Sequence, residues 1–183
     1  GIVDFITTAQ AAGEYKVEDI IYFGSYPQRE IRDEYTKTRI LEQPHDLNGI
    51  YTLNGINYYR IDLGSRTYIY EIEPISWRVL SVESDNIYVL SEKILDGEVF
   101  EDTGNDGRWD NSTLREWLNS YFYNFAFSEK EKKNIKKSFL RNGDNPDYGT
   151  DGGDDTNDYV FIPSYADVLD KNLGFNDVIY SSD

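Results

Sequence analysis

Carboxylates are the most abundant chemically capable groups in this sequence. It carries 34 Asp and Glu, one histidine and no cysteine. Six aspartates, Asp144, Asp147, Asp151, Asp154, Asp155 and Asp158, crowd one stretch together with Asn145 and Asn157. Calcium takes six to eight hard oxygens from loops of this kind, so Asp144, Asp147, Asp151 and Asp154 are candidate calcium ligands. The spacing is not that of an EF-hand, and a solvated acidic loop is the competing reading. Asp102-Thr-Gly-Asn-Asp-Gly107 begins like such a loop but has Thr113 where the bidentate Glu belongs. Glu71 and Glu73 share one face of an alternating segment, and a pair of acids at the right separation can hydrolyse a glycoside. Two exposed acids on a solvated sheet face are the ordinary alternative.

Other chemistries fall away. Without cysteine there are no disulfides, thiolate zinc sites, iron–sulfur clusters or cysteine nucleophiles. The single His45 excludes multi-histidine metal centres, and no Gly-x-Ser-x-Gly elbow accompanies it. No phosphate-cradling or dinucleotide-binding glycine loop is present, so no cofactor is implied beyond the calcium candidate. The formal charge of −16 is the opposite of a nucleic-acid footprint. No apolar run approaches the ~20 residues of a membrane span, so no membrane insertion is expected. The chain starts at Gly1 and has no methionine, which reads as a trimmed or processed piece.

The elements that would position such groups follow from periodicity. Ile2, Phe5, Ile6 and Ala9 have helical spacing, so residues 1–16 read as an N-terminal helix or linker remnant, ahead of a single α+β module over 17–183. Val17–Gly24 reads as a strand and Ser25–Gln28 as the turn leaving it, with 29–48 an exposed connection. Ile50–Leu53, Asn54-Gly55 and Ile56–Ile61 read as a hairpin with a type I′ turn. Residues 66–73 alternate, as do 75–80 after Pro74, and 87–90 is another short strand. The period then changes. Leu114, Trp117, Leu118, Tyr121, Phe122 and Phe125 lie on one helical stripe, with N-cap choices at Asp110, Asn111 and Ser112. Ser128 with Glu131 predicts a capping box opening a second helix that carries Ile135. Residues 142–158 read as a long loop, 159–162 as a strand, and Ser164 as the cap of a third helix ended by Gly174. The expectation is α+β, a mostly antiparallel sheet with about three helices. The 16 tyrosines suit strands, and also suit contact surfaces.

Six phrases occur in order: Tyr22-Phe-Gly-Ser-Tyr-Pro-Gln28, Glu73-Pro-Ile-Ser-Trp-Arg-Val-Leu80, Leu90-Ser-Glu-Lys-Ile-Leu-Asp96, Trp109-Asp-Asn-Ser-Thr-Leu-Arg-Glu-Trp-Leu-Asn119, Phe122-Tyr-Asn-Phe-Ala-Phe-Ser-Glu129 and Val160-Phe-Ile-Pro-Ser-Tyr165. Together they resemble a bacterial family of unknown function, common in Gram-positive gut bacteria. The resemblance implies a C-type-lectin-like fold, in the branch shared with formylglycine-generating enzymes, and an extracellular or cell-surface setting. Such modules continue into a "WWLRS" segment and a "GVRPA" strand. This chain stops before both, so the fold is expected to be incomplete at the C-terminus. Enzymes on that fold use cysteines with copper or a histidine triad on iron, and this chain has neither set. The resemblance therefore carries no activity.

The resulting expectation leans away from an enzyme. It is a non-catalytic binding module of a bacterial surface or secreted protein, with a glycan or protein as ligand. A carboxylate-based, glycosidase-like hydrolase and an architectural spacer are the alternatives. Trp77, Arg78, Trp109, Arg115, Trp117 and Asn119 are expected to build the structural motif, with Arg115 and Asn119 tying their helix to strands or loops. Tyrosines are the contact candidates.

Overall fold

The computed structural model describes residues 2–6, 13–93, 95, 107–164, 167 and 170. Ile2–Ile6 forms strand β1, where the sequence suggested a short helix or a linker remnant. Its composition, Ile-Val-Asp-Phe-Ile, is rich in β-branched and aromatic residues. Pairing on both sides decides the outcome: Ile2–Ile6 lies antiparallel to Leu90–Asn86, and on its other side faces Val160, Phe161, Ile135 and Lys136. Residues 7–12 of the expected helix lie outside the described residues.

The remaining strands are β2 (Ile20–Glu30), β3 (Ile50–Leu53), β4 (Ile56–Leu63), β5 (Arg66–Val82), β6 (Asn86–Ser91), β7 (Ile135–Lys136), β8 (Ser138–Leu140), β9 (Thr156–Asp158) and β10 (Val160–Phe161). The helices are α1 (Glu34–Leu41), a continuous run of α2 (Thr113–Trp117), a π turn (Leu118–Phe122) and α3 (Tyr123–Ala126), and the short α4 (Glu129–Lys132). The architecture is therefore α+β, with a mostly antiparallel sheet and three helical segments among the described residues. No helix among them is long and apolar enough to cross a membrane. The chain divides into two compact units, 24–75 and 1–23 with 76–183.

In the smaller unit β5, β4 and β3 are neighbours in that order. The hairpin turn has Asn54 at φ 53° and Gly55 at φ 78°, the two positive values a type I′ turn requires. Two expectations are corrected here. The turn predicted at 25–28 is continuous strand, because Tyr26 and Pro27 are buried in β2. The connection predicted over 29–48 contains α1, capped by Asp33, whose carboxylate accepts from Thr36 N at 2.8 Å. Its apolar signal is weak because Ile40 is its one buried residue. Ile40 packs with Ile31, Tyr51, Tyr58 and Ile69 into the core of this unit. β5 also runs through Pro74, where the Gln28 amide donates to the carbonyls of Glu73 (2.9 Å) and Pro74 (3.1 Å).

In the larger unit the order is β10-β1-β6-β5, with β7 also on β1 and β8-β9 a separate pair. Trp77, Val79, Leu80, Ile87, Val89 and Val160 are fully buried. The register shifts between Val79 and Ser81, so Leu80 turns inward beside Val79 instead of alternating with it. Trp77 stacks on Phe23 (4.9 Å between centroids) and its indole donates to Phe23 O at 2.9 Å. Arg78 sits between Glu18 and Glu92, at 3.4 and 3.2 Å.

Ser112 caps α2 by accepting from Arg115 N at 3.1 Å. Leu118, Phe122 and Ala126 are the buried residues of this helical run, whereas Trp117 is half-buried and Tyr121 is 45% exposed. The π turn inserts wider spacing and so departs from a uniform 3.6-residue stripe. The Ser128–Glu131 capping box forms in both directions, but α4 ends after four residues. Ile135, predicted on that helix, is buried in β7, paired with Phe5. Ser164 and Asp167 exchange the bonds of a helix cap, at 2.8 and 3.1 Å. Val168, Leu169 and Gly174 of that predicted helix lie outside the described residues.

Candidate binding cleft

Alternation along β9 and β10 buries Thr156, Asp158 and Val160, leaving Asn157 exposed and Tyr159 half-buried. A carboxylate placed in a core this way must be matched by donors. Asp158, 1% exposed, accepts from Trp109 Nε1 at 2.9 Å, Thr156 Oγ1 at 2.8 Å and Arg115 Nε at 2.8 Å. Arg115 also donates to Asp110 O at 2.9 Å. One turn further, Asn119 donates to Val160 O (2.8 Å) and Arg115 O (3.0 Å), while its oxygen accepts from Tyr159 N (2.7 Å) and Val160 N (3.1 Å). Residues 109–119 are thus bolted to β9 and β10 by side chains of opposite charge and matched donor pattern.

This bolt fixes one wall of a cavity of about 580 Å³ in the larger unit. Trp109, Phe139, Phe161, Ile162 and Leu80 supply apolar surface, and Glu83, Asp167, Asp170 and Arg141 supply charge. Trp109 and Phe161 are buried, at 8% and 4% exposure, whereas Phe139 stands 59% exposed on β8. Asn142 at the rim donates to Asp154 O at 2.7 Å. A concave, largely apolar site with a few polar groups is the usual form of a ligand pocket.

The sequence-predicted groups distribute as follows. Trp109 lines the cavity, and Arg115 and Asn119 support it from beneath. Trp77 is buried and Arg78 is engaged by acids. Trp117 lies against Tyr121 and Phe122, at 5.9 and 5.6 Å. Among the described residues Tyr88 is the one tyrosine that lines the cavity, while Tyr22, Tyr35 and Tyr148 are largely exposed. His45 is exposed and its Nδ1 meets Asp46 O at 3.0 Å. Glu71 and Glu73 face Arg29, which bonds Glu71 and lies 4.0 Å from Glu73.

The four calcium candidates do not converge. Asp144 accepts from Gly152 N (3.2 Å), Asp151 accepts from Gly153 N (2.9 Å) and lies 3.5 Å from Arg108, and Asp147 and Asp154 are exposed. Among the described residues no three His, Asp or Glu side chains form a group able to hold a metal ion. The loop passes beside an ion pair from the segment ahead of α2, Arg108 with Asp110. Arg108 grips Asp110 through Nε (3.1 Å) and Nη2 (2.7 Å), and this bond holds the Asp110 carboxyl below the ordinary aspartate range. Gly153, at φ 86°, passes so close to that pair that a Cβ there would overlap the Asp110 carboxylate.

Asp158 is the residue whose role the sequence reading missed, since it was grouped with the loop acids. The signal was available: Thr156, Asp158 and Val160 sit at period two, continuous with the apolar strand that follows. Phe139, Arg141 and Phe161 carried no comparable signal, because the cavity they line assembles from distant segments.

Residues 84–178, more than half of the chain, match a family model described as "Domain of unknown function (DUF6273)". No curated protein and no solved structure matches.

Proposed function

The chain belongs to the DUF6273 family, and from that premise we propose that it is a non-catalytic recognition module, built on a C-type-lectin-like scaffold and working on or outside a Gram-positive cell. The cavity bounded by Trp109, Phe139 and Phe161 carries this reading, with a glycan or a protein segment as its ligand. Its aromatic surface is suited to stacking and apolar contact. Neither the buried Asp158 nor the Glu71–Glu73 pair is available for hydrolysis. Asp158 has three donors on its two oxygens, and the Glu71–Glu73 pair faces Arg29.

The test is capture of ligands from glycan and peptide arrays by the full chain and by Phe139→Ala. Phe139 is largely exposed, so its truncation leaves the core intact. Saturable binding by the parent, lost in the variant and unaccompanied by ligand cleavage, is the expected result. Binding that ignores Phe139→Ala, or turnover of the bound ligand, overturns the proposal.

A further inference from the structure

We infer that the cavity selects a basic peptide segment of a protein partner, seating a Lys or Arg side chain with its aliphatic stem on the aromatic wall. This rests on the recognition reading above and names the class of ligand. Among the described residues, three carboxylates, Glu83, Asp167 and Asp170, line the cavity against one guanidinium, Arg141. Its wall therefore carries an excess of negative charge, within a chain whose formal charge is −16. That field raises the encounter rate of cationic ligands.

The neutral polar groups argue the same way. Recognition of an uncharged sugar needs donors and acceptors free to face it. Trp109 Nε1 is committed to Asp158, so Trp109 offers the cavity ring surface and no donor. Asn142 Nδ2 donates to Asp154 O, while Ser164 Oγ accepts from Asp167 N and keeps its own proton to donate. Besides the hydroxyl-bearing Ser81, Tyr88 and Ser164, the cavity presents aromatic surface next to carboxylates, the pairing that favours an organic cation through ring contact and charge together.

The experiment measures fluorescence polarisation of labelled Leu-Lys-Leu-Lys-Leu and Leu-Glu-Leu-Glu-Leu peptides on the full chain. The basic peptide should bind saturably and the acidic one should not, with affinity falling as salt is raised. Glu83→Gln with Asp170→Asn should weaken binding by about tenfold or more. Asp147→Asn with Glu14→Gln removes the same charge from residues of the same unit that do not line the cavity and should leave affinity nearly unchanged. Arg141→Gln should tighten it. Equal losses in the two double variants would mean that only the general field attracts the peptide, and would refute the inference. A neutral oligosaccharide bound in a Phe139-dependent way, with no basic-peptide binding, overturns the charge class and leaves the recognition reading standing. No Phe139-dependent binding of any probe overturns both.

Discussion

Replacing Asp158 with alanine tests whether the bolt between residues 109–119 and the β9–β10 segment is structural. The substitution strips a carboxylate that is 1% exposed from three donors. Breaking a buried ion pair by removing one member costs about 3–5 kcal/mol. Arg115 is 30% exposed and keeps its bond to Asp110 O, so water recovers part of its solvation. The Thr156 hydroxyl can rotate. The loss should fall at the low end, about 3 kcal/mol, or a fall in Tm of roughly 6–12 °C for a chain of this size. Urea unfolding followed by tryptophan fluorescence is the appropriate assay, because Trp77, Trp109 and Trp117 all lie in the larger unit. Asp158→Asn separates charge from volume. It fills the same space but turns an amide N–H toward donors, so it should lose nearly as much. A double-mutant cycle with Arg115→Ala should show coupling above about 1 kcal/mol. Losses under about 1 kcal/mol in both Asp158 variants, with no coupling, would refute the reasoning.

Gly153→Ala should destabilise the chain by about 2 kcal/mol, from the left-handed backbone at φ 86° plus overlap with a carboxylate that Arg108 holds in place; urea midpoints should show the cost shrinking in an Asp110→Ala background. The Arg108 bond depresses the folded pKa of Asp110, so its stabilising contribution is complete above the unfolded value and disappears as pH falls through the lower folded one. Urea midpoints for the parent and Asp110→Asn should therefore differ by a constant amount at neutral pH and converge only below the ordinary aspartate range; a difference that already closes near neutrality would contradict this.

Much of the α+β plan was legible because its signals are local. Asn54-Gly55, Ser112 and the Ser128–Glu131 pair each announce a turn or cap through their own side chains, and each forms. The failures share a different cause. Helical spacing in Ile2–Ile6 and the capping box ahead of Ile135 both point to helix, yet each segment finds a strand partner far along the chain, and pairing outweighs local signals in segments this short. Tyr26 and Pro27 read as a turn from composition, but their burial holds them in β2. At the candidate site, Trp109, Arg115 and Asn119 stood out by type and spacing. The cavity did not, because Leu80, Phe139 and Phe161 become neighbours only after the sheet has assembled.

The four bonds of Asn119 have a bearing on solubility. Among the described residues β10 is the last strand in its sheet order, and an outermost strand is where a second molecule could add its own backbone. At Val160 both outward-facing groups, N–H and C=O, are already answered by one amide side chain. Asn119 acts there as a fragment of a further strand, two bonds long and unable to propagate, and so shields this margin from intermolecular association.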